Sequence, residues 1–72
     1  MTHNDDITLQ IRFLVERDVG PISVRTRNGV MTVVAPPFVV GDGLLQCCTV
    51  EATDRRKLRI ALAEIVSVSA SL

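Results

Sequence analysis

The side chains of this chain that could do chemistry are one histidine, His3, an adjacent cysteine pair, Cys47 and Cys48, the aspartates Asp5, Asp6 and Asp18, and a glycine-flanked Asp42. A metal site needs two or more convergent His, Cys or carboxylate ligands, and His3 stands in a polar N-terminal stretch with none of its kind elsewhere. A single histidine also removes most Ser-His-Asp and Cys-His arrangements. Cys47 and Cys48 lack CxxC spacing, and neighbouring strand residues point to opposite faces, so the pair reads as small hydrophobes in a strand, not as a redox site. Asp5 and Asp6 suit the start of a helix, and Asp18 the flank of a turn. Gly41-Asp42-Gly43 lacks the strand, glycine spacing and helix of a phosphate loop and reads as a hairpin turn. No catalytic residue, cofactor site or metal site is therefore expected, and the chain is not expected to be an enzyme by itself.

The basic residues offer a different chemistry. Arg25 and Arg27 alternate along one run, and Arg55, Arg56, Lys57 and Arg59 cluster in another. If the groups met on one surface they would form a patch for phosphate, with Arg25, Arg27, Arg55, Arg56 and Lys57 as the nucleic-acid or anion contacts. Against that stand a formal net charge of zero and the absence of Trp and Tyr, since small RNA-binding barrels stack bases on aromatic side chains. Nucleic acid is thus an alternative, and not the favoured partner.

The elements that must carry these residues fit one small domain. Seventy-two residues leave room for a single core, and 47% hydrophobic against 22% charged is the balance of a folded domain. Its bulk comes from Val, Ile and Leu, with Phe13 and Phe38 the two aromatics. The expectation is one domain over 1–72, with residues 1–5 flexible. The acidic start is unlike a signal peptide, and no apolar run approaches the roughly 20 residues that span a bilayer. Unpaired cysteines suit a cytoplasmic setting.

Residues 7–17 fit two periods. Ile7, Leu9, Ile11, Phe13 and Val15 alternate as in a strand, while Ile7, Ile11, Leu14 and Val15 form a helical stripe with Asp5 or Asp6 as N-cap. Gly20, placed as a terminator, tilts the balance to helix. Beyond Pro21, Ile22 to Arg27 leads into Asn28-Gly29, which suits a type I′ hairpin returning along Val30 to Val34. Pro36-Pro37 interrupts pairing before Phe38 to Val40. Gly41-Asp42-Gly43 turns into a strand over 44–52, a loop at 53–56 follows, and Leu58, Ile60 and Leu62 alternate ahead of a break at Ala63-Glu64 and a last strand. Ile22, Val24, Leu58, Ile60, Leu62 and Ile65 are the expected core. Five short strands with tight turns predict a mostly β fold, a small barrel that hides its edges, with a short N-terminal helix.

Val19-Gly20, Ile22, Val24, Asn28-Gly29 and the closing Ile60, Leu62 and Ile65-Val66-Ser67-Val68 resemble the skeleton of an Sm-like, or SH3-like, barrel. That resemblance implies a helix before five strongly bent strands, the last two joined by one short turn. From Val34 to Val68, with Pro36, Val39, Gly43 and Leu44-Leu45, the chain is equally similar to the WYL domains of bacterial transcription regulators. Where those carry their Trp-Tyr-Leu triplet, this chain has Leu44-Leu45-Gln46 or Leu45-Gln46-Cys47, and Ala61 and Glu64 stand where they place ligand-facing arginines.

The functional expectation is a non-catalytic interaction module that self-associates or docks on a protein partner, in the manner of a regulatory or sensor domain of the WYL type. Its expected face is Leu44, Leu45, Cys47, Cys48 and Val50, because a solvent-facing strand would show polar alternation. The alternative is an Sm-like RNA-binding protein.

Overall fold

The computed structural model describes residues 2–50 and 56–71. One helix, α1 (His3–Glu16), precedes five strands: β1 (Ile22–Thr26), β2 (Met31–Gly41), β3 (Leu44–Thr49), β4 (Lys57–Ala61) and β5 (Ile65–Ala70). A 3₁₀ turn, Leu62–Glu64, joins the last two. The strands form one antiparallel sheet in the order β4-β3-β2-β1-β5.

The two readings of residues 7–17 resolve in favour of helix, and the N-terminus explains why. Thr2 caps it: the Thr2 hydroxyl accepts from the Asp5 amide at 3.2 Å, and the Asp5 carboxylate accepts from the Thr2 amide at 3.3 Å. This capping box satisfies two orphan donors, and Asp5 and Asp6 lie at the positive end of the helix dipole. Asp5 is therefore the third residue of the first turn, where the sequence pattern suggests an N-cap. Residues 3–5, expected to be flexible, belong to the helix. At the other end the αL position is taken by Asp18 (φ 52°), two residues ahead of Gly20, and the Asp18 amide bonds to the Val15 carbonyl at 3.0 Å. Ile7 and Ile11 bury fully and Leu14 partly, whereas Val15 is 44% exposed, one residue outside the stripe.

Both expected hairpins form, but the turn type expected at Asn28-Gly29 does not. At Arg27-Asn28-Gly29 only Gly29 has positive φ (82°), and the Gly29 amide bonds to the Thr26 carbonyl at 3.0 Å. That is a three-residue loop, a type I turn followed by an αL glycine, and not a type I′ turn. The Asn28 side chain explains the preference, because its Oδ1 accepts from the Thr26 hydroxyl and the Val30 amide. The type I′ turn is instead Asp42-Gly43, with φ of 52° and 72° between the paired residues Gly41 and Leu44.

Strand β2 bends, as Pro36-Pro37 foretells. Four steps along β2, from Ala35 to Val39, face two along β3, from Cys48 to Gln46, so two residues are extruded at the prolines. The bend lets both hairpins reach one place. Arg27, between β1 and β2, donates its amide to the Glu64 carbonyl (2.9 Å) and its Nε to the Ala63 carbonyl (2.7 Å). Leu62 donates its amide to the carbonyl of Gly43, between β2 and β3, at 2.9 Å. Run straight, eleven extended residues would separate the two hairpins by about 35 Å. The 3₁₀ turn thus pins a curled sheet.

The curl does not become the closed barrel expected from the strand count. Strands β4 and β5 are the opposite edges of the sheet and form no ladder with each other. Helix α1 packs against β5 and the 3₁₀ turn, and supplies cover that edge-to-edge closure would otherwise provide. The core is Ile7, Ile11, Ile22, Val24, Val34, Leu45, Cys47, Leu62 and Ile65. Leu58 and Ile60, expected within it, are only half-buried because β4 is an edge.

Candidate functional site

Strand β3 is central, paired on both sides, so the apolar face expected over 44–50 is divided by the pleat. Leu45 and Cys47 are core residues, 0% and 2% exposed, and cannot contact a partner without unfolding. Leu44 and Cys48, both half-buried, and the exposed Val50 lie on the outward parity. Burial, and secondarily the neighbouring Cys48, push the Cys47 thiol up to about 11. A thiol held protonated in a core is a packing residue and not a nucleophile.

Among the described residues the two basic groups do not meet. Arg25 is exposed on β1, and Arg27 is spent on the 3₁₀ turn. Arg56 and Lys57 stand at the start of β4, with β2 and β3 between them and Arg25. Arg55 lies outside the described residues. Lys57 and Arg59 do share the outer face of β4, beside a cleft of about 140 Å³ also lined by Pro37, Val39, Gln46 and Cys48. Small-molecule sites run from roughly 300 Å³ upward, so this cleft is too small to enclose a typical ligand. His3 has a structural partner: its Nε2 donates to the Ile65 carbonyl at 2.7 Å and ties the start of α1 to the start of β5. Among the described residues no cluster of three or more His, Cys, Asp or Glu could hold a metal, and no helix is long and apolar enough to cross a membrane.

What residue-by-residue reading misses is the pair of sheet edges. In an antiparallel ladder, alternate residues direct both N–H and C=O to the same neighbour. The Ser71 amide bonds to the Pro21 carbonyl at 3.1 Å, which with the Ile22–Ala70 register turns Ser67 and Ser69 toward β1 and leaves Val68 and Ala70 directed outward. On β4, the Leu62–Gly43 and Thr49–Arg56 bonds fix the parity: Leu58 and Ile60 bond to β3, while Lys57, Arg59 and Ala61 present their backbone groups to the open side.

The edges differ in character. Strand β5, Ile-Val-Ser-Val-Ser-Ala, has no charge and no proline, the usual guards of an exposed edge. Beside it runs a groove between α1 and β5, lined by Leu9, Gln10, Phe13, Leu14, Val68 and Ala70 among others. Leu9 and Phe13 are 53% and 55% exposed, and the Arg17 guanidinium covers one face of the Phe13 ring at 4.2 Å. Leu9 and Phe13 stand i, i+4 apart outside the core stripe, a second apolar stripe that is legible in the sequence. Comparisons with family models, curated proteins and solved structures return no match.

Proposed function

We propose that this chain is a non-catalytic protein-interaction module, a small curled sheet of the Sm-like or SH3-like kind, that self-associates through the open edge of β5. The observation that carries this is the unguarded β5 edge lying against an exposed apolar stripe of α1. An added strand would satisfy the outward backbone groups of Val68 and Ala70, and Leu9 and Phe13 would be covered at the same time. A second copy of β5 is a suitable strand, because an uncharged strand meets its own copy without like-charge repulsion, and a two-fold axis makes such a contact self-complementary. The helix-first order, the bend in β2 and the single-turn link between edge strands support the small-barrel type.

Light scattering on the eluting protein at micromolar concentration tests the proposal. A dimer or larger species is expected, with Leu9→Glu/Phe13→Glu shifting it to monomer while the far-UV circular dichroism is unchanged. A wild-type protein that stays strictly monomeric overturns the proposal.

A further inference from the structure

The geometry points to a second docking edge: we infer that β4 takes an extended acidic peptide as an added strand, its carboxylates at alternate positions opposite Lys57 and Arg59. The inference deepens the interaction-module reading by naming the partner of the edge that self-association through β5 leaves open.

Three features of β4 converge on it. The backbone groups of Lys57, Arg59 and Ala61 face the open side, so the residues that would hydrogen-bond an added strand include both that carry the charge. Lys57 and Arg59 are exposed and two residues apart, so their side chains stand on one face about 7 Å apart. That is the spacing of residues i and i+2 in any extended peptide, so two carboxylates on alternate positions meet both cations in register. The cross-strand neighbours on the occupied side, Cys48 for Lys57 and Gln46 for Arg59, are uncharged, so no anion from β3 competes.

The intervening positions select the rest of the peptide. Leu58 and Ile60 point toward the core but are only half-buried, because no strand among the described residues pairs on the outer side of β4. Apolar residues between the acidic ones would lie beside them and complete their burial. The preferred ligand is thus an alternating acidic-apolar segment. A second β4 is excluded as occupant, since it would set the Lys57 and Arg59 pairs of two copies against each other. Single-stranded nucleic acid could use the same cations, but the β4 face has no aromatic side chain for a base, and only the peptide satisfies the edge amides.

The test uses the full chain, a fluorescein-labelled peptide alternating Glu and Val, a Lys-Val peptide of equal length, a Glu-Val peptide of the same composition with its acids contiguous, and oligouridine. Fluorescence polarisation is expected to rank the alternating acidic peptide first. Its addition is expected to slow hydrogen exchange at the Lys57, Arg59 and Ala61 amides. Lys57→Ala/Arg59→Ala, two exposed changes that leave the fold intact, should weaken it roughly 2- to 30-fold, the loss of two cross-strand ion pairs. Lys57→Glu/Arg59→Glu should reverse the preference to the Lys-Val peptide. Equal binding of the acidic and basic peptides, or of the alternating and contiguous ones, overturns the inference. So does protection appearing at Val68 and Ala70 instead, or oligouridine binding that the acidic peptide cannot displace. Light scattering of the Glu double variant separates the two proposals: an oligomer that persists while peptide binding is lost supports both, and a monomeric wild type that still binds the acidic peptide refutes self-association alone. Concentration-dependent protection of the β4 amides without peptide would show that a second copy occupies this edge, and would overturn the inference.

Discussion

Leu44→Ala and Leu45→Ala are the sharpest test of how β3 is oriented, because the two leucines are adjacent, share one strand and differ in which face they meet. Leu45 is 0% exposed and packs in the main core, whereas Leu44 is half-buried and lies outside that cluster. Truncating a fully buried leucine removes its transfer free energy and leaves a cavity, about 2–5 kcal/mol, and a central strand closed on both sides cannot collapse readily around it. About 3 kcal/mol is expected for Leu45→Ala. Leu44→Ala loses only part of the transfer term, about 1 kcal/mol. A domain of 72 residues has a total stability of about 4–11 kcal/mol, so the first change consumes a large share of it. In thermal terms it lowers Tm by about 12–24 °C, against about 4–8 °C for the second. The chain has no Trp and no Tyr, so urea unfolding is followed by far-UV circular dichroism, at one protein concentration because association shifts apparent stability. Both substitutions replace leucine by alanine in the same strand, so propensity cancels and the difference reports burial. Equal losses would refute the assignment of Leu45 to the core, and a changed m-value would show that the unfolded or native ensemble had altered instead.

Three further outcomes are expected. With its thiol pushed up to about 11, Cys47 is about one part in 1,000 thiolate at pH 8, against about one in 10 at the ordinary value of 9.0, so alkylation mapped by mass spectrometry should modify Cys48 first and Cys47 chiefly after denaturation. Because its folded pKa lies above its unfolded one, the thiol favours the folded state fully below pH 9 and loses that contribution as pH climbs toward 11; the Cys47→Ser variant in an alkaline titration of stability checks the sign. Gly43→Ala should cost about 1–2 kcal/mol through its φ of 72° alone, since an added Cβ would meet only the Asn4 side chain, at 4.0 Å; urea midpoints compare it with Gly41→Ala, where φ is not positive and no atom lies within 4 Å.

Much of the fold was legible in the residues themselves. The alternation of Ile22 and Val24 and of Leu58, Ile60 and Leu62, the proline interruption of β2 and the glycine-flanked turn at Asp42 each state a local requirement that neighbouring residues do not contradict. Which face of β3 was buried was not legible, because Leu44, Leu45, Cys47 and Cys48 are apolar on both parities and only pairing with β2 and β4 sets the pleat. The turn type at Asn28 turns on a local contact: Asn-Gly permits two positive φ values, but the Thr26 hydroxyl, two residues earlier in the chain, bonds to the Asn28 side chain and holds it in another conformation. The candidate site shows the same limit. Charge and spacing along β4 and the absence of charge along β5 stand in the sequence. That these strands are the two edges follows only from the strand order, since a strand's neighbours are chosen by the folded sheet and not by its own residues. The sequence alone determined a small, mostly β domain with an aliphatic core. The tertiary structure decided that the sheet stays open, because α1 buries Ile7 and Ile11 on it and supplies cover that closure would have provided.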